Sequence, residues 1–317
     1  MGTYIIRRLL MGLVVVWLVT LVVFIVMRLL PGDPIQLFLS GDPEGYTWEE
    51  LEYFRHLYGL DKPMIAQYFS WLGQLLQGDL GTSIFTQRPV TYMIGQRLPI
   101  TLNLAISAII ISAILGVAFG TICALNRGKW QDSLFSVIAN LGITLPVFWV
   151  GILLIYLFSL RLGLLPTYGY TAPWVDFGLH IRQLIMPLFC MCVFGLASLT
   201  RQTRSAMLEV IQQDYVRTAW AKGLRERVII MRHMVKNAMI PVVTQMGLQA
   251  RFVLGGAVLV EVVFSIPGMG RMMADALLNQ DYQVVQGGTV MIALMVVVVN
   301  IVVDITYAWL DPRIRYH

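Results

Sequence analysis

The sequence predicts an all-α polytopic membrane protein with six transmembrane helices. Of its 317 residues, 57% are hydrophobic and only 13% are charged, whereas an ordinary soluble domain has roughly 25% charged residues. The apolar residues are concentrated in runs. The first run, residues 9–30, has 22 residues and one charge, and at about 1.5 Å per residue it crosses a hydrocarbon core of roughly 30 Å as a helix.

Five further apolar runs complete the predicted spans. They lie near residues 99–126, 133–160, 184–200, 239–264 and 287–310. Arg7 and Arg8 precede the first run as they would in a signal peptide, but PGDP follows it instead of a small-x-small cleavage site. We therefore expect a retained membrane anchor.

Lys and Arg are unevenly distributed among the connecting segments. If the amino end is cytoplasmic, fourteen lie on the cytoplasmic side, eight of them in residues 201–236, and seven lie in much longer external segments. Basic residues accumulate in cytoplasmic loops, so we expect both termini in the cytoplasm. This topology explains the net charge of +5, and no nucleic-acid-binding motif is present. No nucleic acid is expected as a partner.

Residues 31–98 form an external segment with its own helical signals. Thr47 is placed to cap a helix with Glu50 three positions later. A second stretch carries one apolar stripe, made of Ile65, Tyr68, Phe69, Leu72, Leu75 and Leu76. The two patterns predict short amphipathic helices over the outer surface.

The stretch DYVRTAWAKGLRERVIIMRHMVKNA, residues 214–238, is too polar to span the membrane and holds six Lys or Arg against two acids. Val216, Trp220 and Leu224 follow at spacings of four, and Ala219, Ala221 and Gly223 add a shallow surface of small residues. This pattern favours a helix that lies in a groove of another protein. A topology loop that touches only lipid headgroups is the alternative.

Five segments of the chain, taken in order, resemble the permease subunits of bacterial dipeptide, oligopeptide and nickel ATP-binding-cassette (ABC) importers. They are residues 5–34, 58–90, 214–245, 260–287 and 299–316. The resemblance implies the type I ABC importer permease fold. It also implies a division into residues 1–94, the first span with the external region, and residues 95–317, the permease core with a cytoplasmic coupling loop at about 201–236.

In this family a coupling helix carries Glu-Ala-Ala, three residues and then Gly, and it sits in a cleft of an ATPase subunit. Arg217, Thr218, Ala219 and Gly223 occupy these positions here, so Arg and Thr replace Glu and Ala. Ala219 and Gly223 would let the partner approach closely, and Trp220 would anchor it. The implied coupling residues are Tyr215, Arg217, Ala219, Trp220, Gly223 and Arg225.

The resemblance further implies the partners of the chain. These are a second homologous permease, two ABC ATPase subunits and an extracytoplasmic solute-binding protein, assembled in the lipid bilayer of the bacterial cytoplasmic (inner) membrane. Di- or oligopeptide is the expected substrate, and nickel chelates, glutathione and other small solutes are alternatives. ATP and Mg would be bound by the partner subunits, and no cofactor by this chain.

Motifs of catalysis are missing from the sequence. The Gly128-Lys129 pair lacks the rest of the phosphate-binding G-x-x-x-x-G-K-[ST], because Cys123 stands at the first Gly position and Trp130 follows the Lys. H-E-x-x-H, G-x-S-x-G and C-x-x-C are also absent. The sequence therefore predicts a non-catalytic subunit without catalytic residues or a metal site.

Two features of the spans bear on transport. Arg251 lies near the middle of the fifth span, where a charge is costly. We hypothesise that it faces the translocation pathway; a buried ion pair or a snorkelling side chain is the alternative. Gly116 and Gly120 form a small-xxx-small pattern that permits close helix packing.

The competing functional classes are an ion-coupled secondary carrier, which should show internal repeats, and a membrane scaffold or sensor.

Overall fold

The computed structural model describes the backbone of residues 2–39 and 46–310, and the side chains of residues 6–39, 46–250, 253, 255 and 257–303. The regular elements in these ranges are helices: α1 (Gly2–Leu29), α2 (Pro34–Leu39), α3 (Trp48–Leu57), α4 (Met64–Leu76), α5 (Val90–Leu125), α6 (Trp130–Thr144), α7 (Val147–Leu154), α8 (Phe177–Ile211), α9 (Asp214–Ala221), α10 (Glu226–Val228), α11 (Lys236–Val263), α12 (Met269–Leu278) and α13 (Tyr282–Leu310). π-helical segments, Ile155–Arg161 and Ile229–Val235, continue α7 and α10.

Long apolar helices account for most of the predicted spans. Within the described residues, four helices are long and apolar enough to cross a membrane, namely α1, α5, α8 and α13. The α6 and α7 pair makes a fifth if it is counted as one broken span. The predicted membrane fold is confirmed, but the count of six spans is not.

The predicted span at 133–160 is broken near its middle. Its two halves, α6 and α7 with the π segment, are bent by 107°. Proline restricts the residue before it to extended conformations and has no N–H for the helix. Leu145, just before Pro146, accordingly has φ −83° and ψ 131°, so α6 ends there.

The helices form two compact units. Unit 1 contains residues 1–101 and 267–298, and unit 2 contains residues 102–266 and 299–317. The predicted division at residues 94 and 95 stays a prediction. α5 and α13 each contribute one part to each unit.

Unit 1 packs around the carboxyl-terminal half of α1, α4, α12 and the start of α13. Phe24 of α1 stacks on Trp71 of α4 at 6.1 Å between ring centroids, and Met269 and Val284 join the same buried cluster. The loop before α5 is fixed by Ser83, whose Oγ donates to Asp281 Oδ2 at 2.5 Å. Burial raises the pKa of that Asp281 carboxyl.

The two amphipathic helices predicted in residues 31–98 are present as α3 and α4. Thr47 accepts from the Glu50 backbone N–H, and the Glu50 side chain accepts from the Thr47 N–H, so the predicted capping box is confirmed. The predicted stripe on α4 is divided. Its edge at Tyr68 and Leu75 packs against the core, whereas Ile65, Phe69 and Leu76 are exposed. Trp71, outside the predicted stripe, is the residue of α4 that is buried.

Unit 2 is built on α8, against which α5, α6 and α11 pack. A Cβ atom added at Gly116 would lie 2.6 Å from Leu199 Cβ, and one added at Gly120 would lie 2.6 Å from the carbonyl oxygen of Thr200. Only glycine permits this approach of α5 to α8. The predicted close packing at these two glycines is confirmed.

Candidate functional site

The basic stretch 214–238 is carried by an extension of α8. α8 has 35 residues, or roughly 52 Å at 1.5 Å per residue, which exceeds a hydrocarbon core of about 30 Å. Its final turns, residues 201–211, are the start of the predicted coupling loop. Gln213 then adopts an extended backbone, with φ −73° and ψ 144°, and α9 begins at the next residue. α9 is thus joined to a long helix by a two-residue link.

One face of α9 is buried in an apolar cluster that collects residues from several helices. Val216 and Ala219 supply the α9 side of this cluster, and Ala219 is only 4% exposed. The other buried members are Ala124 of α5, Ala206 and Met207 of α8, Ile229 and Met234 of the π segment, and Ala238 of α11. We call these eight residues the α9 cluster. Because packed side chains resist deformation, a displacement of α9 bears on α5, α8 and α11 together.

The rest of the α9 surface and the turn after it carry exposed cationic and aromatic side chains. Trp220 is 47% exposed, and Arg217 and Lys222 are also exposed. Arg217 pairs with Asp214 at 3.6 Å, but both side chains are largely in solvent, and such a pair is worth only about 0–1 kcal/mol. The Arg217 guanidinium can therefore exchange this partner for an acidic group of another protein.

Gly223 ends the helix in a conformation that other residues adopt with strain. Its φ is +69°, and its N–H donates to the Trp220 carbonyl at 2.9 Å, as is common at a glycine just past a helix end. A Cβ atom added there would meet nothing within 4 Å. The chain turns at this point, and the exposed Arg225 directly precedes the short helix α10.

Tyr215 links α9 to the start of α11. Its hydroxyl oxygen accepts from Asn237 Nδ2 at 3.0 Å, and the same Nδ2 donates to the His233 carbonyl at 2.8 Å. Tyr215 is itself half exposed. This bond is a second connection, besides the α9 cluster, between α9 and α11.

The predicted exposed ridge on α9 is wrong for two residues. Trp220 and Leu224 are exposed as expected, but Val216 and Ala219 point into the α9 cluster. Ala219 therefore does not present a small surface to a partner. Five of the six predicted coupling residues are exposed, namely Tyr215, Arg217, Trp220, Gly223 and Arg225, and their role in coupling stays a prediction.

Sequence reasoning missed an ion pair near this site. Arg204 of α8 donates to both carboxylate oxygens of Asp132 in α6, from Nε at 2.7 Å and from Nη2 at 2.8 Å. Asp132 Oδ2 also accepts from the Gly128 backbone N–H at 3.1 Å. The pair attaches the turn between α5 and α6 to α8. Arg204 lies three residues before Met207, which belongs to the α9 cluster. Positions 132 and 204 are too far apart for a periodic pattern to relate them.

Replacing Arg204 with Met is expected to lower the free energy of unfolding by about 2–3 kcal/mol. Removal of one member of a buried pair costs about 3–5 kcal/mol, and the lower value is expected because the Arg204 side chain is 33% exposed although Asp132 is 9% exposed. Thermal unfolding of the purified chain in detergent measures the change. Arg217→Met, which breaks the exposed pair, is the matched control and should cost below about 1 kcal/mol. Equal losses of unfolding free energy in the two variants would contradict the conclusion that the Asp132–Arg204 pair is the more strongly stabilising one.

Arg251 cannot be placed relative to a pathway. Its backbone belongs to α11, but its side chain lies outside the described residues. Its predicted role stays a prediction. In the ranges whose side chains are described, no group of three or more His, Cys, Asp or Glu could hold a metal ion.

Comparison with known families matches the chain from end to end. Residues 116–316 match the family described as binding-protein-dependent transport system inner membrane component, and residues 1–105 match the model of the N-terminal region of such membrane components. The oligopeptide transport system permease protein AppB of Bacillus subtilis is 40% identical over 100% of both chains. A putative peptide permease protein of Brucella ovis is 40% identical over 98% of both chains.

Solved structures share the fold of this chain. A chain of the inward-facing MetNI methionine ABC transporter superposes with a TM-score of 0.57, covering 69% of this chain and 97% of that chain at 14% identity. A second crystal form of the same transporter gives a TM-score of 0.54. These matches confirm the expected permease fold.

Proposed function

Because this chain belongs to the family of binding-protein-dependent transport system inner membrane components, we propose that it forms half of a peptide-conducting pathway in an ATP-driven importer. A second homologous permease supplies the other half, two ABC ATPase subunits bind at the cytoplasmic face, and an extracytoplasmic solute-binding protein delivers the substrate. The chain is a multi-pass membrane permease. Both of its termini lie in the cytoplasm, on the same side as the basic stretch 201–236.

The observation that carries this proposal is the division of α9 into two faces. The buried face joins the α9 cluster and hence the long helices α5, α8 and α11, and the exposed face presents Trp220 among cationic side chains. A helix with this arrangement transmits a push from a partner into the membrane region. An aromatic anchor surrounded by cations suits an apolar cleft with an acidic rim on the ATPase.

ATP chemistry belongs to the partners in this assembly. The ATPase subunits bind ATP and Mg, their closure moves α9, and the two permeases switch the opening of the path between them. This chain binds no cofactor and has no catalytic residue. Support comes from the missing phosphate-binding motif of the sequence and from the non-catalytic character of the permease family.

Support for a peptide substrate comes from the relatives. The Bacillus subtilis and Brucella ovis proteins are named for oligopeptide and peptide transport, and they match this chain over nearly its whole length. A third relative, from Sinorhizobium fredii, is named a probable peptide ABC transporter permease and is 38% identical over 100% of both chains. Peptide transport is therefore favoured over nickel chelates or glutathione.

Reconstitution tests the proposal. The tagged chain is purified in mild detergent from its native host, the proteins that accompany it are identified by mass spectrometry, and the assembly is placed in liposomes with the binding protein. We expect recovery of a second permease and of ATPases, and uptake of labelled di- or oligopeptide that requires ATP and survives ionophores. Uptake by the chain alone that is driven by an ion gradient would overturn the proposal in favour of a secondary carrier.

A further inference from the structure

Unit 2 contains an apolar cavity beside the bend between α6 and α7. It has a volume of about 210 Å³ and is lined by side chains of α5, α6, α7 and α8, among them Phe119, Leu141, Val150 and Phe189. We call it the bend cavity. Leu141 and Phe189 are themselves exposed, so the cavity opens at the outer surface of these helices.

The lining of the bend cavity suits hydrocarbon and does not suit water. Thr200 is the single polar side chain of the lining, and its hydroxyl oxygen has less than 1 Å² of accessible surface. A water held in a cavity needs about two to four polar partners, whereas a dry apolar cavity of about 150 Å³ accepts a benzene ring. The bend cavity is larger than that, so it has room for at least about six carbon atoms.

Exposed cations lie at the membrane-surface end of the helices that line the bend cavity. The apolar run of α5 ends at Leu125, the exposed residues Arg127 and Lys129 follow, and the exposed Trp130 begins α6. In the described part of the chain, neither Arg127 nor Lys129 forms an ion pair. The nearby acid, Asp132, is paired with Arg204, so the positive charge of this turn is not compensated.

The spacing of these two features along α6 matches one leaflet of a bilayer. Ile138 and Leu141, which line the bend cavity, follow Trp130 by 8 and 11 residues, or about 12 and 16 Å along the helix. Half of a hydrocarbon core of roughly 30 Å is about 15 Å, and Trp is enriched at the level of the headgroups. A lipid with its phosphate beside Lys129 therefore carries its acyl chain to the depth of the cavity.

A protein helix fits the bend cavity less well than an acyl chain does. With its side chains, a helix is about 10–12 Å in diameter, so it would cover the mouth without entering a space of about 210 Å³. An extended acyl chain is narrow enough to pass between Leu141 and Phe189.

We propose that the bend cavity and the turn between α5 and α6 together bind an anionic phospholipid of the surrounding bilayer. The phosphate and the headgroup charge lie against Arg127 and Lys129, and one acyl chain enters the bend cavity. Because hydrocarbon surrounds every span, the cavity alone does not select one lipid from another; selection comes from the two cations, which attract anionic headgroups. The proposal is independent of the transport role and of the side of the membrane on which the turn lies.

Photochemical cross-linking tests this site. The full chain, purified with its accompanying subunits, is placed in phosphatidylcholine nanodiscs that contain a small fraction of a probe lipid with a diazirine near the middle of one acyl chain. The probe is phosphatidylglycerol or, for comparison, phosphatidylcholine with the same chains, and labelled residues are located by mass spectrometry. We expect labelling at Ile138, Leu141 and Phe189 that is at least about fivefold stronger with the phosphatidylglycerol probe.

Two results of this experiment would overturn the proposal. Equal labelling of the bend cavity by the two probes would show that no anionic headgroup is selected. Absence of labelling there, under conditions that label the exposed α1 residues Leu13 and Val14, would show that protein covers the cavity mouth.

Charge variants assign the headgroup selection. Arg127→Gln combined with Lys129→Gln should bring labelling by the two probes to within about twofold of each other, because both cations are lost. Arg161→Gln combined with Arg182→Gln removes two other exposed cations of unit 2 and should leave the preference unchanged. A preference for phosphatidylglycerol that persists in the first double variant would refute the assignment.

A pair of leucines in α6 assigns the acyl chain. Leu141→Trp enlarges a side chain at the cavity mouth and should lower labelling at Phe189 at least about fivefold. Leu134→Trp adds the same bulk at an exposed residue of α6 that does not line the cavity, and it should leave that labelling unchanged. Both leucines are exposed, so neither change overpacks the core. Equal labelling at Phe189 in the two variants would show that the acyl chain does not enter the bend cavity.

Discussion

Replacing Gly223 with Trp is expected to abolish ATP-dependent uptake and to release the ATPases from the purified assembly, while the chain itself stays folded. The Cβ atom would meet nothing within 4 Å, so the indole projects into open space beside the exposed face of α9. The φ of +69° adds a backbone cost of only about 1–2 kcal/mol. If an ATPase occupies that space, the indole excludes it.

A matched control exists in the same unit. Gly128 has φ +77° and is likewise exposed, with nothing within 4 Å of an added Cβ atom. It also lies in a segment predicted to be cytoplasmic. Gly128→Trp therefore carries the same backbone strain and the same added bulk, and it should retain the ATPases and most of the uptake. Co-purification and uptake are compared between the two variants, and equal losses would mean that α9 is not the docking helix.

Local signals in the sequence were sufficient to predict several elements of this fold. The capping box at Thr47 depends on residues three apart, and the close approach at Gly116 and Gly120 depends on residues four apart on one helix. Such spacings are set by helix geometry alone. These local predictions do not depend on how distant parts of the chain fold, and the structure confirms them.

The orientation of α9 could not be predicted in this way. Its eight residues place apolar or small side chains on more than one face, and Val216 and Ala219 are buried only because Ala124, Met207 and Ile229 meet them. The partners come from helices far away in sequence. The pattern of 214–221 gives the helix and its apolar residues, but not which of those residues face the protein.

The ion pair between Asp132 and Arg204 could not be predicted from a local pattern either. Each residue alone resembles an ordinary charge at the end of a span, and their proximity depends on how α6 crosses α8.

The bend at Pro146, by contrast, had a local signal. Apolar residues continue on both sides of the proline, so hydropathy merged two helices that the backbone separates.

Introducing a methyl group at Gly120 is expected to destabilise the chain about as much as the loss of Arg204, and a larger side chain there should do more. The added Cβ atom would lie 2.5 Å from Thr203 Cβ, 2.6 Å from the Thr200 carbonyl oxygen and 3.0 Å from the Arg204 backbone nitrogen. Two of these are backbone atoms of α8, which cannot rotate away. α5 and α8 must therefore move apart, and overpacking of this kind costs typically about 1–3 kcal/mol and sometimes more.

Gly120→Ala should thus lower the free energy of unfolding by about 2–3 kcal/mol, and Gly120→Leu should prevent recovery of folded protein. Gly95, in the same helix α5, is the control, because an added Cβ atom there meets nothing within 4 Å; Gly95→Ala should stabilise the chain by roughly 0.5–1 kcal/mol through helix propensity. Thermal unfolding in detergent measures the stability of the Gly120 and Gly95 variants, and the yield of purified protein measures the recovery of folded chain. A free energy of unfolding in Gly120→Ala that is no lower than in Gly95→Ala would show that α5 and α8 do not cross as described.

The contact at Gly120 also connects stability with coupling. The α8 backbone that it touches carries Arg204, and the same helix leads through residues 205–211 to the link before α9. A separation of α5 from α8 would pull Arg204 away from Asp132 and widen the α9 cluster between Ala124 and Met207. We therefore expect Gly120→Ala, where it still folds, to reduce uptake per ATP hydrolysed in reconstituted liposomes, and Gly95→Ala to leave that ratio unchanged.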